Sequence, residues 1–209
     1  MNYAELRTEI QDTCENDETR FVASIPSFIR RAEQQIFYDV QLPLFRANVE
    51  GQVSSGSRYL TLPDDFKAPL SLRIIDGEYL LNKDVNFIRE AYPGSVQAAP
   101  RYYALFDDDS IILAPIPDQP YQMELHYARE PVSLTEGTDD GTTWLSVNAQ
   151  NAILYGSVMY GYIFMKGEKA LIDEYTGKFQ VAVNSLKNLG EARNRKDTYR
   201  GGELRTKVR

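Results

Sequence analysis

The spacing of apolar residues divides the chain into a helical beginning, a strand-rich middle and a helical end. Residues 3–14 repeat apolar side chains every three or four positions, which predicts a short amphipathic helix. A second helix is predicted over residues 24–40, with Pro26 in its first turn and Pro43 beyond its end.

The apolar period changes to two between Val49 and about Leu134, which indicates strands. Asp76-Gly77 lies between two such runs and is a strong hairpin signal. Residues 82–101 contain no regular period and are expected to be irregular. These hairpins predict a small antiparallel sheet inserted between helices.

Two helices are predicted after the sheet. The first, over residues 146–165, is apolar on almost every side, so it should be buried by several neighbours or partly by another subunit. Gly156 and Gly161 lie inside this helix at a cost of roughly 1 kcal/mol each relative to alanine. We therefore expect both glycines to permit close packing of helices or subunits. The last helix should run over residues 168–195.

The predicted fold class is α+β. Two N-terminal helices (residues 1–45) and a C-terminal helical hairpin (residues 144–195) form a helical core. A β-rich insertion (residues 46–135) interrupts this core, and residues 196–209 form an extended basic arm.

The distribution of charge sets the arm apart from the rest of the chain. The whole chain has a net charge of −7, but residues 193–209 hold seven Arg or Lys and two acidic side chains, so residues 1–192 carry a net −12. An acidic body should repel nucleic acid phosphates. The basic end therefore binds nucleic acid, binds another protein, or is only a solvated end. No apolar run approaches the ~20 residues needed to cross a bilayer.

The residues that could carry chemistry are few and isolated. His126 is the only histidine and falls on the polar face of a predicted strand, and Cys14 is the only cysteine, so neither a catalytic triad nor a zinc site is predicted. Asp107–Asp109 fits a hairpin turn better than a cation site, and Thr176–Phe179 lacks the spacing of a phosphate-binding loop. We therefore predict no catalytic, cofactor or metal site, and hence no enzyme. Chance pairs of carboxylates remain open as a glycosidase-like alternative.

The order of the motifs resembles the head-to-tail adaptor (connector) proteins of tailed bacteriophages, and is similar to the tail tubular gatekeeper type of short-tailed phages. The resemblance spans roughly residues 5–190 and is carried by turns and helix faces. Its segments are FIRRAEQQIFYDV (28–40), LTLPDDFKAPLSLRI (60–74), AAPRYYAL (98–105), ILAPIPDQPYQMELHYAREPVSL (112–134) and TWLSVNAQNAILYGSVMYGYIFM (143–165).

This resemblance implies a structural protein of the virion, made in the cytoplasm of the bacterial host and located at the head–tail junction. It implies a homo-oligomeric ring, commonly a dodecamer, that binds the portal protein on one side and a downstream tail (nozzle or hub) protein on the other. Genomic DNA would pass through the ring without sequence-specific binding, and no membrane or cofactor would be involved.

The resemblance also implies that the basic arm docks on the portal. The residues expected to do so are Arg193, Arg195, Lys196, Tyr199, Arg200, Arg205, Lys207 and Arg209. Two alternatives remain open at this stage. In the first alternative, the adaptor would also degrade peptidoglycan during entry. That activity needs a carboxyl group of raised pKa facing a second carboxylate. Alternatively, the arm would bind nucleic acid, although its single aromatic side chain provides no interleaved stacking platform.

Overall fold

A computed structural model describes residues 1–193 and divides the chain into two compact units. The helical unit combines Met1–Pro43 with the chain from Val132 onward, and the β-rich unit is Leu44–Pro131. Within the described residues there are six α-helices and seven strands, so the predicted α+β class is confirmed. The helices are α1 (Tyr3–Cys14), α2 (Thr19–Asp39), α3 (Val85–Ala91), α4 (Trp144–Asn148), α5 (Gln150–Met165) and α6 (Lys169–Arg193).

Helix α1 occupies the predicted residues, and its first turn shows why it begins there. The Asn2 side chain accepts a hydrogen bond from the Glu5 backbone N–H at 2.8 Å, and Glu5 Oε2 accepts one from the Asn2 N–H at 2.9 Å. This reciprocal cap satisfies two amides that the helix itself cannot use. The buried face is formed by Leu6, Ile10 and Cys14, each four residues from the next.

Helix α2 begins at Thr19, so the prediction that it starts near Ser24 is wrong. Pro26 lies inside the helix and not in its first turn. An interior proline removes one backbone hydrogen bond and costs roughly 3 kcal/mol. Phe21 and Ile25, both fully buried in the turns before it, offset that cost because each large apolar side chain contributes about 1.5–3 kcal/mol on burial.

The predicted helix over residues 146–165 is in fact two helices, α4 and α5. The break lies at Ala149, whose backbone (φ −137°, ψ 41°) is not helical, and Thr143 caps the start of α4 by accepting from the Ser146 N–H at 3.2 Å. Helix α5 contacts α1, α2, α4 and α6 and is the centre of the helical unit. In its partner α6 the helical period predicts an apolar stripe that includes Phe179, Leu186 and Leu189. Phe179 and Leu186 are buried, whereas Leu189 is 38% exposed.

The β-rich unit contains two small sheets where the sequence predicted one. Its strands are β1 (Arg46–Val53), β2 (Tyr59–Thr61), β3 (Phe66–Ile74), β4 (Leu81–Asn82), β5 (Tyr102–Leu105), β6 (Ser110–Ala114) and β7 (Tyr121–Arg129). One sheet has the antiparallel order β1-β7-β3, and the other has the order β2-β6-β5-β4. The pair β4–β5 is parallel, unlike the all-antiparallel arrangement expected.

The chain does turn back at Asp76-Gly77, where the Gly77 N–H donates to the Ile74 carbonyl at 2.9 Å and Asp76 is left-handed (φ 62°). It then leaves the hairpin after a few residues to supply β4 to the other sheet. The stretch predicted to be irregular contains α3, whose first turn is capped by Asp84. One buried cluster holds residues of both sheets, including Leu72, Leu125 and Leu113.

Candidate functional site

The single histidine lies on the solvent-facing side of the three-stranded sheet, as the alternation of β7 predicted. His126 lines an open cleft of about 330 Å³ together with Asn48, Ser71, Arg73, Tyr79 and Glu124. Its strand neighbours Leu125 and Tyr127 are buried on the opposite face.

Glu124 is the centre of this cleft. Asn48 and Arg73 both donate to its carboxylate, and the Arg73 guanidinium lies 5.9 Å from the centre of the Tyr79 ring. These donors, Asn48 first, hold the pKa of Glu124 below its ordinary value of 4.5. A carboxylate held in its ionised form is poorly suited to act as a general acid.

Glu33 is a carboxyl group with a raised pKa, and its side chain is enclosed by hydrogen-bond partners. Its side chain is 7% exposed, and burial raises its pKa although two hydrogen bonds oppose the shift. Ser133 Oγ donates to it at 2.5 Å and the Leu134 N–H donates at 3.0 Å. A carboxyl that is enclosed and already bonded in this way does not resemble the cleft acid that the peptidoglycan alternative requires.

The contacts of Glu33 join two distant parts of the chain. Ser133 follows Glu33 by 100 residues and is the second residue of the segment that returns from the β-rich unit to the helical unit. The start of α1 is also joined to this returning segment, because the Tyr3 and Ala4 backbone N–H groups donate to the carbonyls of Gly141 and Asp139 at 3.1 Å and 3.0 Å. Buried polar groups are retained when such partners are present. The spacing of apolar residues in α2 predicts that Glu33 lies with Arg30, Arg31 and Gln34 on the polar face of the helix, so sequence patterning missed its burial.

The two glycines predicted to permit close packing both lie in α5. A side-chain carbon at Gly156 would lie 2.8 Å from the Ala32 Cβ and 2.8 Å from Phe179 Cε2, so this position brings α2, α5 and α6 together. At Gly161 the corresponding distances are 3.1 Å to Cys14 Sγ and 3.4 Å to Phe21 Cζ. The neighbouring atoms are side chains of the same chain. A role of these glycines between subunits stays a prediction.

Cys14, Asp107 and the segment Thr176–Phe179 all lie in environments that indicate a structural role. Burial raises the pKa of the Cys14 thiol to about 11, which keeps it protonated and unreactive. Asp107 lies in the turn between β5 and β6 and accepts from Ser110 Oγ at 2.7 Å, while Thr176–Phe179 lies inside α6. Among residues 1–193, no group of three or more His, Cys, Asp or Glu side chains is placed to hold a metal ion.

Only the first residue of the predicted docking arm is described. Arg193 is the last described residue of α6, and its guanidinium lies 5.7 Å from the ring centre of Trp144 in α4. The other predicted residues lie outside the described part of the chain, namely Arg195, Lys196, Tyr199, Arg200, Arg205, Lys207 and Arg209. No helix within residues 1–193 is both long and apolar enough to cross a membrane.

The buried polar contacts of Glu33 and the close packing at the two glycines connect the N-terminal and C-terminal parts of the helical unit. The model of the SU10 adaptor protein family matches residues 1–206, and the chain belongs to that family. The resemblance to phage head-to-tail adaptors is thereby confirmed.

The comparison with solved structures finds a chain from the neck of an empty GTA particle, computed with C6 symmetry. The two chains are 15% identical in sequence, and the TM-score is 0.27. The alignment covers 81% of the present chain and 87% of the neck chain. A likeness at this level carries no argument about function. No curated protein matches the chain.

Proposed function

We propose that this protein is a structural adaptor that forms a ring beneath the portal of a tailed phage, joins the capsid to the tail, and lets the genome pass through its centre. The observation that carries the proposal is the family match over residues 1–206. The protein would be made in the host cytoplasm, become part of the virion at the head–tail junction, and bind a tail protein on the face opposite the portal.

The charge distribution supports a role as a conduit. Residues 1–192 carry a net −12, and an acidic ring repels the phosphates of the duplex. A basic lumen would instead hold the genome through counterion release. DNA is therefore proposed to pass without sequence-specific contacts.

The ring is tested by mixing the purified protein with portal rings encoded by the same genome. Negative-stain images are expected to show a second ring, commonly of twelve subunits, stacked on the portal. Portal rings that remain bare at a large excess of the protein would contradict the adaptor role.

The basic arm is proposed to dock on acidic grooves of the portal. Removing residues 194–209 should abolish capture of the protein by immobilised portal while leaving its melting temperature unchanged, because α6 and Arg193 are retained. The matched control replaces Asp197 and Glu203 by Asn and Gln, which keeps the positive charges and should keep binding. Full binding by the truncated protein would show that the arm is not the docking element.

A further inference from the structure

One exposed face of the helical unit is basic. Helix α2 exposes Arg20, Arg30 and Arg31, and none of the three has a carboxylate within 4.0 Å among the described residues. The guanidinium groups of Arg20 and Arg31 each lie 5.9 Å from a ring centre of α5, those of Phe164 and Tyr160 respectively. An arginine placed against a ring keeps hydrogen-bond donors free for a partner. We call these three arginines and the two rings the basic face.

The basic face also exposes apolar surface. Ile163 and Phe164 expose 47% and 39% of their surface, and α5 (Gln150–Met165) contains no charged residue that would offset the arginines. A partner that carries carboxylates on a helix would therefore meet guanidinium groups that form no ion pair within residues 1–193, together with an apolar strip.

A second exposed face of the same unit is acidic. Glu5, Glu9 and Asp12 lie four and three residues apart on α1, so they form one stripe, and all three are exposed. The turn after the helix adds three further exposed carboxylates, Glu15, Asp17 and Glu18. Arg7 is the one basic side chain of residues 1–18. No ion pair to these carboxylates occurs among the described residues. We call the six carboxylates the acidic face.

The helices that carry the two faces contact different positions of α5. The basic face lies over Tyr160 and Phe164, whereas α1 and the turn after it contact Gly161 and Met165, through Cys14 and through Asn16 Nδ2 at 3.1 Å from Met165 Sδ. Gly161 follows Tyr160 by one residue, and Met165 follows Phe164 by one residue. One residue corresponds to a rotation of about 100° around the helix axis. In a ring each subunit contacts its neighbours through two different surfaces. The basic face and the acidic face are two such different surfaces, and they adjoin at the start of α2, where Glu18 and Arg20 are two residues apart.

We propose that the basic face of one copy binds the acidic face of the next copy. This inference rests on the proposed ring and names the surfaces by which neighbouring subunits meet. Because the contact pairs exposed charges, it should weaken as salt is added.

The experiment uses charge reversal on each face of the full chain. One variant carries Arg30→Glu and Arg31→Glu, the other carries Glu9→Lys and Asp12→Lys, and sedimentation velocity measures self-association at low and high salt. Wild type should associate at low salt. Each variant alone should associate more weakly, on the order of tenfold or more, because like charges then face each other. An equimolar mixture of the two variants should regain the wild-type behaviour, because opposite faces meet again.

Two controls reverse exposed charges on α6, Lys169→Glu and Glu191→Lys, and should associate as wild type does. A thermal melt of every variant checks that the fold is retained, and we expect melting temperatures close to that of the wild type. A wild-type chain that stays monomeric at all concentrations and salt levels, or a mixture that is no better than its components, overturns the inference. The portal capture experiment is independent of this one: bare portal rings with intact self-association would refute the adaptor role and leave the paired faces standing.

Discussion

In the helical unit and in the β-rich unit, a carboxylate accepts two hydrogen bonds from residues distant in the sequence, and the pKa values of these two carboxyl groups are shifted in opposite directions. Glu33 in α2 is buried, and burial raises its pKa. Glu124 in β7 lies on an open sheet face, where Asn48 and Arg73 lower its pKa.

The difference shows where each unit places its polar interactions. In the helical unit the buried carboxylate of Glu33 binds the distant Leu134 backbone N–H. Loss of this carboxylate therefore leaves a buried N–H without an acceptor. In the β-rich unit the charged network covers the outside of a sheet whose other face is apolar, so water can replace a lost partner. Substitutions in the helical unit should therefore be the more damaging.

The largest effect is expected from Gly156→Ala. The added methyl group would lie 2.8 Å from the Ala32 Cβ and from the Phe179 ring, so two helices must shift, and we expect the free energy of unfolding to fall by about 3 kcal/mol. Urea denaturation measures the change. Gly177→Ala in α6 and Gly51→Ala in β1 are the matched controls, because neither added methyl has an atom within 4 Å. A Gly156→Ala protein as stable as wild type would show that the helices are not closely packed there.

A smaller effect is expected from Glu33→Ala. The Leu134 N–H loses its acceptor in a buried position, and we expect a loss of about 2 kcal/mol in the free energy of unfolding. Ser133→Ala removes one donor but leaves the carboxylate bonded to Leu134, so it should cost less. Equal losses for the two variants would mean that the backbone contact contributes nothing.

The pH dependence should have opposite signs at the two carboxylates. The raised pKa of Glu33 contributes stability that is present below its ordinary value of 4.5 and is lost as pH rises through the folded value. Wild type should therefore lose stability relative to Glu33→Gln as pH rises from 4.5. The lowered pKa of Glu124 contributes stability that is present above 4.5 and is lost as pH falls through the folded value, so wild type should lose stability relative to Glu124→Gln on acidification.

Urea denaturation of both variants between about pH 3 and pH 8 gives the two slopes. The double variant should show their sum, because the sites belong to different units. Slopes of the same sign in the free energy of unfolding against pH would contradict the prediction that burial raises the pKa of Glu33 while hydrogen-bond donors lower the pKa of Glu124.

The smallest effect concerns Cys14 and leaves stability untouched. With a pKa of about 11 and a buried side chain, the thiol should react with a thiol-specific reagent near neutral pH far more slowly in the folded protein than in urea. Absorbance of the released chromophore follows the reaction. Immediate labelling of the native protein would show that α1 detaches readily from α5.

Local patterns predicted elements wherever one residue spacing extended over a long stretch. The whole of α1 and the buried Phe179 and Leu186 of α6 followed from the helical period. The start of α2 did not, because Pro26 is a signal for a first turn and tertiary burial of Phe21 overrides it. The break at Ala149 has no breaker residue to reveal it.

The interactions of the candidate site depend on contacts between distant residues, which periodicity does not encode. Glu33 and Ser133 are 100 residues apart, and Glu33 shares its helix face with exposed residues such as Arg30. The assignment of β4 to the second sheet likewise depends on β5, some twenty residues further along the chain. The basic end, by contrast, is visible in the distribution of charge, and the resemblance to phage adaptors is visible in the order of the motifs.

The stacking of Arg193 on Trp144 has a practical consequence. Trp144 is the only tryptophan of the chain, and the guanidinium that covers it belongs to the last described residue before the basic arm. Indole emission responds to a cation against its ring and to contact with water. Movement at the root of the arm should therefore change the fluorescence of the native protein, so its engagement by a partner can be timed in solution without any attached dye.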